Sequence, residues 1–398
     1  MKQKVFLATT VDWPSAARLA GAFAVLGARV EAVAPRGHVL GVSRYPDRVH
    51  RYHPLKPLAS FAAAIQAAEP DFVIPCDDRA LGLLLALPEL EPLLRHSIGP
   101  LESYEVLMSR SASIAAAREE GIAAPLTLAV PDSSALADAL ARVGLPCVMK
   151  SDASWGGGGV KQVHSKEEAE HAYATLKGPP PRLRSLARAV LRKDLHFLAE
   201  ALTPRAARVN VQAFIPGKPA TSVFAARDGA VLASLHMDVI DWDGATGPAK
   251  RLQRVDCPRM EDAARKIAAR FGLSGLQGLD FVRDEAGVPH LIEINPRATQ
   301  VCHRVLGPDL PAALLGMAPR PALTTRSQIA LFPQLLAAER AGPAVYEDIP
   351  WDDPAVLRAL AGDDALSEAE GLEAIAEFVP PVGAPPIFRR EVYGPRGR

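Results

Sequence analysis

The sequence predicts an α/β protein: a parallel-sheet domain, a small α/β subdomain with a glycine-rich flap, a larger α+β subdomain on an antiparallel sheet, and a C-terminal cap. Three observations carry this. Over roughly the first hundred residues, short apolar runs alternate with helical periodicity and short connections, the pattern of a Rossmann-like parallel sheet. PCVMKSDASWGGGGVKQVH reads as strand, four-glycine turn, strand. GLDFVRDEAGVPHLIEINPRATQ, from Gly278 to Gln300, reads as two strands joined by a turn at Asp284, Glu285 and Gly287. The expected divisions are 1–104, 105–215, 216–305 and 306–398.

In chain order, VFLAT is a buried-type strand. Asp12 is an expected N-cap, with Pro14 in the first turn of a helix that runs to Gly27. ARVEAVA, the helix PLASFAAAIQAAE and the strand DFVIPC continue the alternation. No GxGxxG follows the first strand, so a dinucleotide site is poorly supported. Asp77 and Asp78 sit where open sheets place ligands, or simply cap the next helix. RSASIAAAREEG and DSSALADALARVG are helices around the strand PLTLAV. Lys150 ends a strand just before Gly156, Gly157, Gly158 and Gly159. A strand after the glycines excludes a Walker loop; the run is a phosphate-closing flap or a plain flexible turn. Residues 178–196 are Pro-led and arginine-rich, either a solvated helix or a lid. Gln212, Phe214 and Ile215 end the next strand. His236 is a lone histidine, structural by default, and is kept among the candidate cofactor contacts. RMEDAARKIAARFG is an amphipathic helix leading to the hairpin.

On the hairpin, Glu293 and Asn295 are two apart and share a strand face, with Asp280 thirteen residues upstream where the chain folds back. Two carboxylates and an amide oxygen make a hard, all-oxygen site that Mg²⁺ takes when phosphate oxygens complete its shell. Arg297 has the spacing to add a fixed cation. The same residues read equally as a plain hairpin with a solvated polar face. Composition favours the site: the chain has two asparagines, Asn210 and Asn295, and one lies between this Glu and an NPR turn.

Of the 398 residues 48% are hydrophobic, and 45 Lys+Arg balance 45 Asp+Glu. Zero formal charge argues against a nucleic-acid or anionic-membrane partner for the whole chain. Cys76, Cys147, Cys257 and Cys302 are scattered, with no CxxC and no histidine cluster, as in a reduced protein. With no long apolar run, the expectation is a soluble cytoplasmic protein.

Together these segments resemble the ATP-grasp superfamily over about residues 1–305. PCVMKSDASWGGGG resembles its lysine and flap, VQAFIPGK its hinge strand, and LDFVRDEAGVPHLIEINPR its metal hairpin. Arg110 stands where the family has a phosphate-contacting lysine, and Gln212 where an acidic residue is usual. The resemblance implies ATP and Mg²⁺ (or Mn²⁺) as cofactors, metal ligands Asp280, Glu293 and Asn295, and catalytic roles for Lys150 and Arg297. Cofactor contacts would come from Arg110, Lys150, Gly156 to Gly159, Gln212, Phe214 and Ile215. It further implies ligation of a small-molecule carboxylate to an amine through an acyl phosphate, releasing ADP and phosphate. A phosphotransferase and a non-catalytic nucleotide-binding scaffold are the alternatives, and a homodimer is the default assembly.

Overall fold

The first sheet is parallel, in the order β3 (Arg48–Arg51), β2 (Arg29–Ala34), β1 (Lys4–Ala8), β4 (Phe72–Pro75). Its strands are nearly continuous apolar runs because both faces are covered. Phe6 and Ala8 pack toward helices α2 (Pro57–Ala68), α3 (Asp78–Leu85) and α4 (Glu91–Ile98), while Val5 and Leu7 pack toward α1 (Ser15–Ala24). Pro14, not Asp12, occupies the N-cap of α1, and no side chain caps it, which corrects the expectation for Asp12. The computed structural model describes residues 2–152, 159–177, 208–242, 247–303, 306–334 and 345–367.

Helices α5 (Tyr104–Leu107) and α6 (Arg110–Glu119) lead to a second, antiparallel sheet. Its order is β5 (Thr127–Val130), β8 (Val209–Ala213), β6 (Cys147–Ser151), β7 (Val160–Val163), backed by α7 (Ser134–Val143) and α8 (Lys166–Lys177). The third sheet has seven strands. Pro289–Asn295 (β13) pairs with Gly275–Arg283 (β12), followed by Lys218–Arg227 (β9), Ala230–Trp242 (β10) and Ala249–Val255 (β11). The chain beyond residue 306 extends this sheet with β14 (Gln328–Ala330) and β15 (Val345–Glu347).

Alternation on β9 sorts the two faces of this sheet. Ala220, Phe224 and Ala226 pack against α9 (Pro258–Phe271), whereas Val223 and Ala225 join the core that holds α10 (Leu310–Leu314) and α1. Gly278 on β12 is a close approach: a Cβ there would lie 2.6 Å from the Thr299 side chain.

The residues after β15 tie the sheets together. Arg18 on α1 bonds Asp348 at 2.8 Å and Asp352 at 2.9 Å, His303 bonds Asp348 at 2.7 Å, and the Ser43 hydroxyl donates to Asp353. A last helix, α11 (Pro354–Ser367), follows. Burial alone would raise the Asp348 carboxyl, but Arg18 and then His303 override it and bring its pKa down to about 2. A depressed carboxylate contributes stability above its unfolded pKa and loses it as pH falls through the folded one. Asp348→Asn should therefore cost about 3–5 kcal/mol near neutrality in urea unfolding. That difference should shrink below about pH 4 and vanish toward pH 2.

Candidate active site

The hairpin β12–β13 sets the site. Asp280 lies directly opposite Glu293, and Gly278 opposite Asn295. The register then slips, so that Phe281 faces Leu291 and Ile292 is the extra residue of a bulge. The bulge leaves the Ile292 carbonyl pointing out of the ladder. It accepts from Gln212 Nε2 at 3.2 Å and Lys150 Nζ at 3.4 Å, joining the second sheet to the third. Gln212 is also held by the Thr127 hydroxyl at 2.9 Å, and both Gln212 and Lys150 are buried.

Around this seam the charges interlock. Arg110, the first residue of α6, reaches Glu293 at 2.8 Å and stands 3.8 Å from Asp152. Asn210 donates to Asp152 at 2.7 Å. Asn295 donates to Asp280 at 2.9 Å and accepts from Arg297 at 3.0 Å. Arg297 grips Asp78 with both arms, at 2.7 and 3.0 Å. The two readings of the Asp77–Asp78 pair divide between them: Asp77 caps α3 through the Ala80 amide and holds Thr10, while Asp78 faces the site.

The electrostatics are those of a crowded, half-buried seam. Burial raises the Asp280 carboxyl, and the neighbouring Glu293 raises it further. Burial lowers Lys150 to about 8, against the opposing pull of Glu293. Burial would also lower Arg297, but Asp78 more than compensates and its pKa is raised. Two half-buried carboxylates face each other here, a pairing that favours a cation between them. Among the described residues no group of three or more His, Cys, Asp or Glu has metal-binding geometry. A cation at Asp280, Glu293 and the Asn295 amide oxygen would therefore draw its other ligands from outside the protein, as Mg²⁺ on phosphates does. The donors are all hard oxygens, so the set fits that ion.

Most of the expected site residues thus converge: Arg110, Lys150, Gln212, Asp280, Glu293, Asn295 and Arg297. Phe214 and Ile215 lie half-buried in the connection between β8 and β9. Gly159 immediately precedes β7, its carbonyl accepting from the Ser151 amide at 3.0 Å. Gly156, Gly157 and Gly158 and the segment 178–196 fall outside the described residues. His236 is a correction. It pairs across β9 with Ser222 and thereby with Leu279, on the sheet face opposite to Thr221, Asp280 and Glu293. There it accepts from or donates to Ser222 at 2.8 Å and meets Glu261 of α9 at 3.0 Å, pinning helix to sheet.

Residues 193–301 match the model of an ATP-grasp domain. Over that stretch the chain carries an ATP-grasp domain. The chain is 28% identical over 312 residues to formate-dependent phosphoribosylglycinamide formyltransferase of Burkholderia pseudomallei, covering 72% of this chain and 71% of that one. In structure it resembles the biotin carboxylase domain of Hydrogenobacter thermophilus 2-oxoglutarate carboxylase. That match has a TM-score of 0.56 at 16% identity, over 81% of this chain and 71% of the other. An L-amino acid ligase from Bacillus licheniformis matches with a TM-score of 0.57 at 14% identity, over 81% and 76%. No helix among the described residues is long and apolar enough to cross a membrane.

Sequence reading did not single out Asp152, Asn210 or the partnership of Asp78 with Arg297. Asn210 carried a usable signal, since it is the other of only two asparagines. The placement of His236 yields a test. His236→Gln should destabilise the fold by about 1–3 kcal/mol in urea unfolding, the range for a broken buried hydrogen-bond network. MgATP affinity measured by calorimetry should stay within about twofold, a small fraction of 1.4 kcal/mol.

Proposed function

We propose that this ATP-grasp protein is an ATP-dependent ligase that joins a carboxylate to an amine through an acyl phosphate, releasing ADP and phosphate. The observation that carries the reading is the facing of Asp280 and Glu293 across the hairpin, ringed by Lys150, Arg110 and Arg297. Asp280, Glu293 and Asn295 would hold Mg²⁺, which when bound neutralises phosphate oxygens and so favours phosphoryl transfer. Lys150 would set a point charge on the phosphates, and Arg110 would exchange its contact with Glu293 for a phosphate, to which its planar fork is suited. Arg297, aimed by Asp78, would stabilise charge on the transferring group. Gln212, Phe214 and Ile215 would form the hinge wall against the nucleotide base, and Gly156 to Gly159 would close over the phosphates. Water kept out of this seam protects a hydrolysable intermediate.

The named relatives include a formyltransferase acting on a phosphoribosyl amine and an amino acid ligase, and both names fit C–N bond formation. We further infer a cytoplasmic protein; a homodimer remains the default assembly, and the biotin carboxylase neighbour is described as a dimer.

Product analysis tests the ligase reading. ADP and orthophosphate should form only when a carboxylate and an amine are both supplied. A stable phosphorylated product formed without an amine would replace it with a kinase. The pH dependence tests Lys150. Because its pKa is lowered to about 8, its charge is present below that pH and lost above it. MgATP affinity in calorimetric titrations should fall as pH rises through about 8 or somewhat higher, since bound phosphates favour the charged form. Lys150→Arg should remove that fall, because guanidinium stays charged.

A further inference from the structure

Asp152 follows β6 directly, two residues past Lys150 and ahead of the glycine run. Its backbone N–H donates to the Arg208 carbonyl at 2.8 Å, which carries the pairing of β6 with β8 one residue further. Side chains two apart share a face, so Asp152 lies on the face of Lys150. Lys150 is directly opposite Asn210, which puts Asn210 and then Gln212 there too. The other face, with Met149, Val209 and Val211, is the apolar core under α7 and α8. The polar face is a row aimed at the seam, and Asn210 is 1% exposed within it.

The contacts of Asp152 converge on one residue. Asn210 Nδ2 donates to its Oδ1 at 2.7 Å, and the backbone N–H of Arg110 donates to the same carboxylate. Arg110 opens α6, where N–H groups have no partner within the helix, so a carboxylate brought from another sheet caps it. Ser109 takes a different one of these donors, the Ala112 amide, at 3.4 Å. Asp152 Oδ1 also lies 3.8 Å from Arg110 Nε, while Nη1 of that guanidinium is 2.8 Å from Glu293. Arg110 is therefore stretched between two carboxylates with different prospects. Glu293 is among the oxygens a metal would claim, whereas Asp152 is committed to Asn210 and to the start of α6. The amide is committed in turn. With Nδ2 on Asp152, Asn210 Oδ1 is buried without a hydrogen-bond partner among the described residues, which is unfavourable by itself. A charged acceptor is what holds the amide in that orientation.

Resting on the ligase reading above, we propose that Asp152, held by Asn210, is a positioning residue that acts through Arg110. It anchors the helix start and the Nε side of the guanidinium. The terminal N–H groups can then pass from Glu293 to a phosphate without the side chain swinging free. A lysine needs no such anchor, because its ammonium is a point charge with rotatable donors. A guanidinium donates in one plane, and its fork serves a phosphate only when that plane is fixed. Asp152 itself touches neither phosphate nor metal in this role.

A change of background separates this role from plain capping. MgATP affinity by calorimetry, and thermal melting without nucleotide, are measured on the full chain. The variants are Asp152→Asn alone and Asp152→Asn in an Arg110→Lys background. Capping depends on the backbone N–H, which both backgrounds keep, so Asp152→Asn should lower the melting temperature similarly in each. Positioning depends on the guanidinium. Asp152→Asn should therefore weaken MgATP about tenfold, roughly 1.4 kcal/mol, in the parent, and less than about twofold in the Arg110→Lys background. Asn210→Ser leaves the carboxylate in place but releases it. It should follow the same pattern with a loss of about threefold, and it decides the matter if Asp152→Asn does not fold. An equal loss of affinity in both backgrounds, or no loss in the parent, overturns this proposal and leaves the ligase reading standing. A parent protein that does not bind MgATP sinks the ligase reading itself, and this proposal with it.

Discussion

Asp280 and Glu293 face each other, both half-buried, on adjacent strands, and like charges so placed repel unless something cationic comes between or beside them. Much of the surrounding chemistry can be understood as an answer to that repulsion. Arg110 is drawn from α6 onto Glu293, Lys150 is buried near the end of β6 with its pKa lowered to about 8, and Asn295 turns its amide N–H onto Asp280. The balance is incomplete without a further cation, and the oxygens on offer are of the kind that divalent magnesium prefers. If the proposed metal–phosphate complex binds there, nucleotide affinity should depend on metal, because each supplies charge that the other lacks.

The site also explains why three sheets are needed. No single sheet holds the constellation: Asp78 comes from the parallel sheet, Lys150, Asp152, Asn210 and Gln212 from the second sheet, and the carboxylate pair from the third. The bulge at Ile292 supplies the carbonyl that fastens the second sheet to the third, and Arg297 fastens the third to the first. On the far side, Arg18, His303 and the run of aspartates after β15 lock the C-terminal strands onto α1. The pieces therefore meet at two charged joints.

What the sequence revealed depended on how local its signal was. The hairpin was legible because alternation, turn residues and the scarcity of asparagine all lie within two dozen residues. The parallel sheet was legible for the same reason. The facing of His236 was not, since it is fixed by pairing across β9 with a strand more than forty residues away, and one position along that strand reverses the face. Nor was the grip of Arg297 on Asp78, which spans 219 residues. The aspartates at 348, 352 and 353 meet Arg18, Tyr45 and Ser43 from more than three hundred residues away, so only the fold shows their partners.

The central claim is that the carboxylate pair binds a divalent ion jointly with nucleotide phosphates. Electron paramagnetic resonance of Mn²⁺ with the parent protein and with the Asp280→Asn, Glu293→Gln double variant, each with and without ATP, tests it most directly. The account predicts a protein-bound Mn²⁺ signal in the parent that requires ATP and disappears in the double variant. Tight Mn²⁺ binding without nucleotide, or an ATP-dependent signal unchanged by removing both charges, would contradict it.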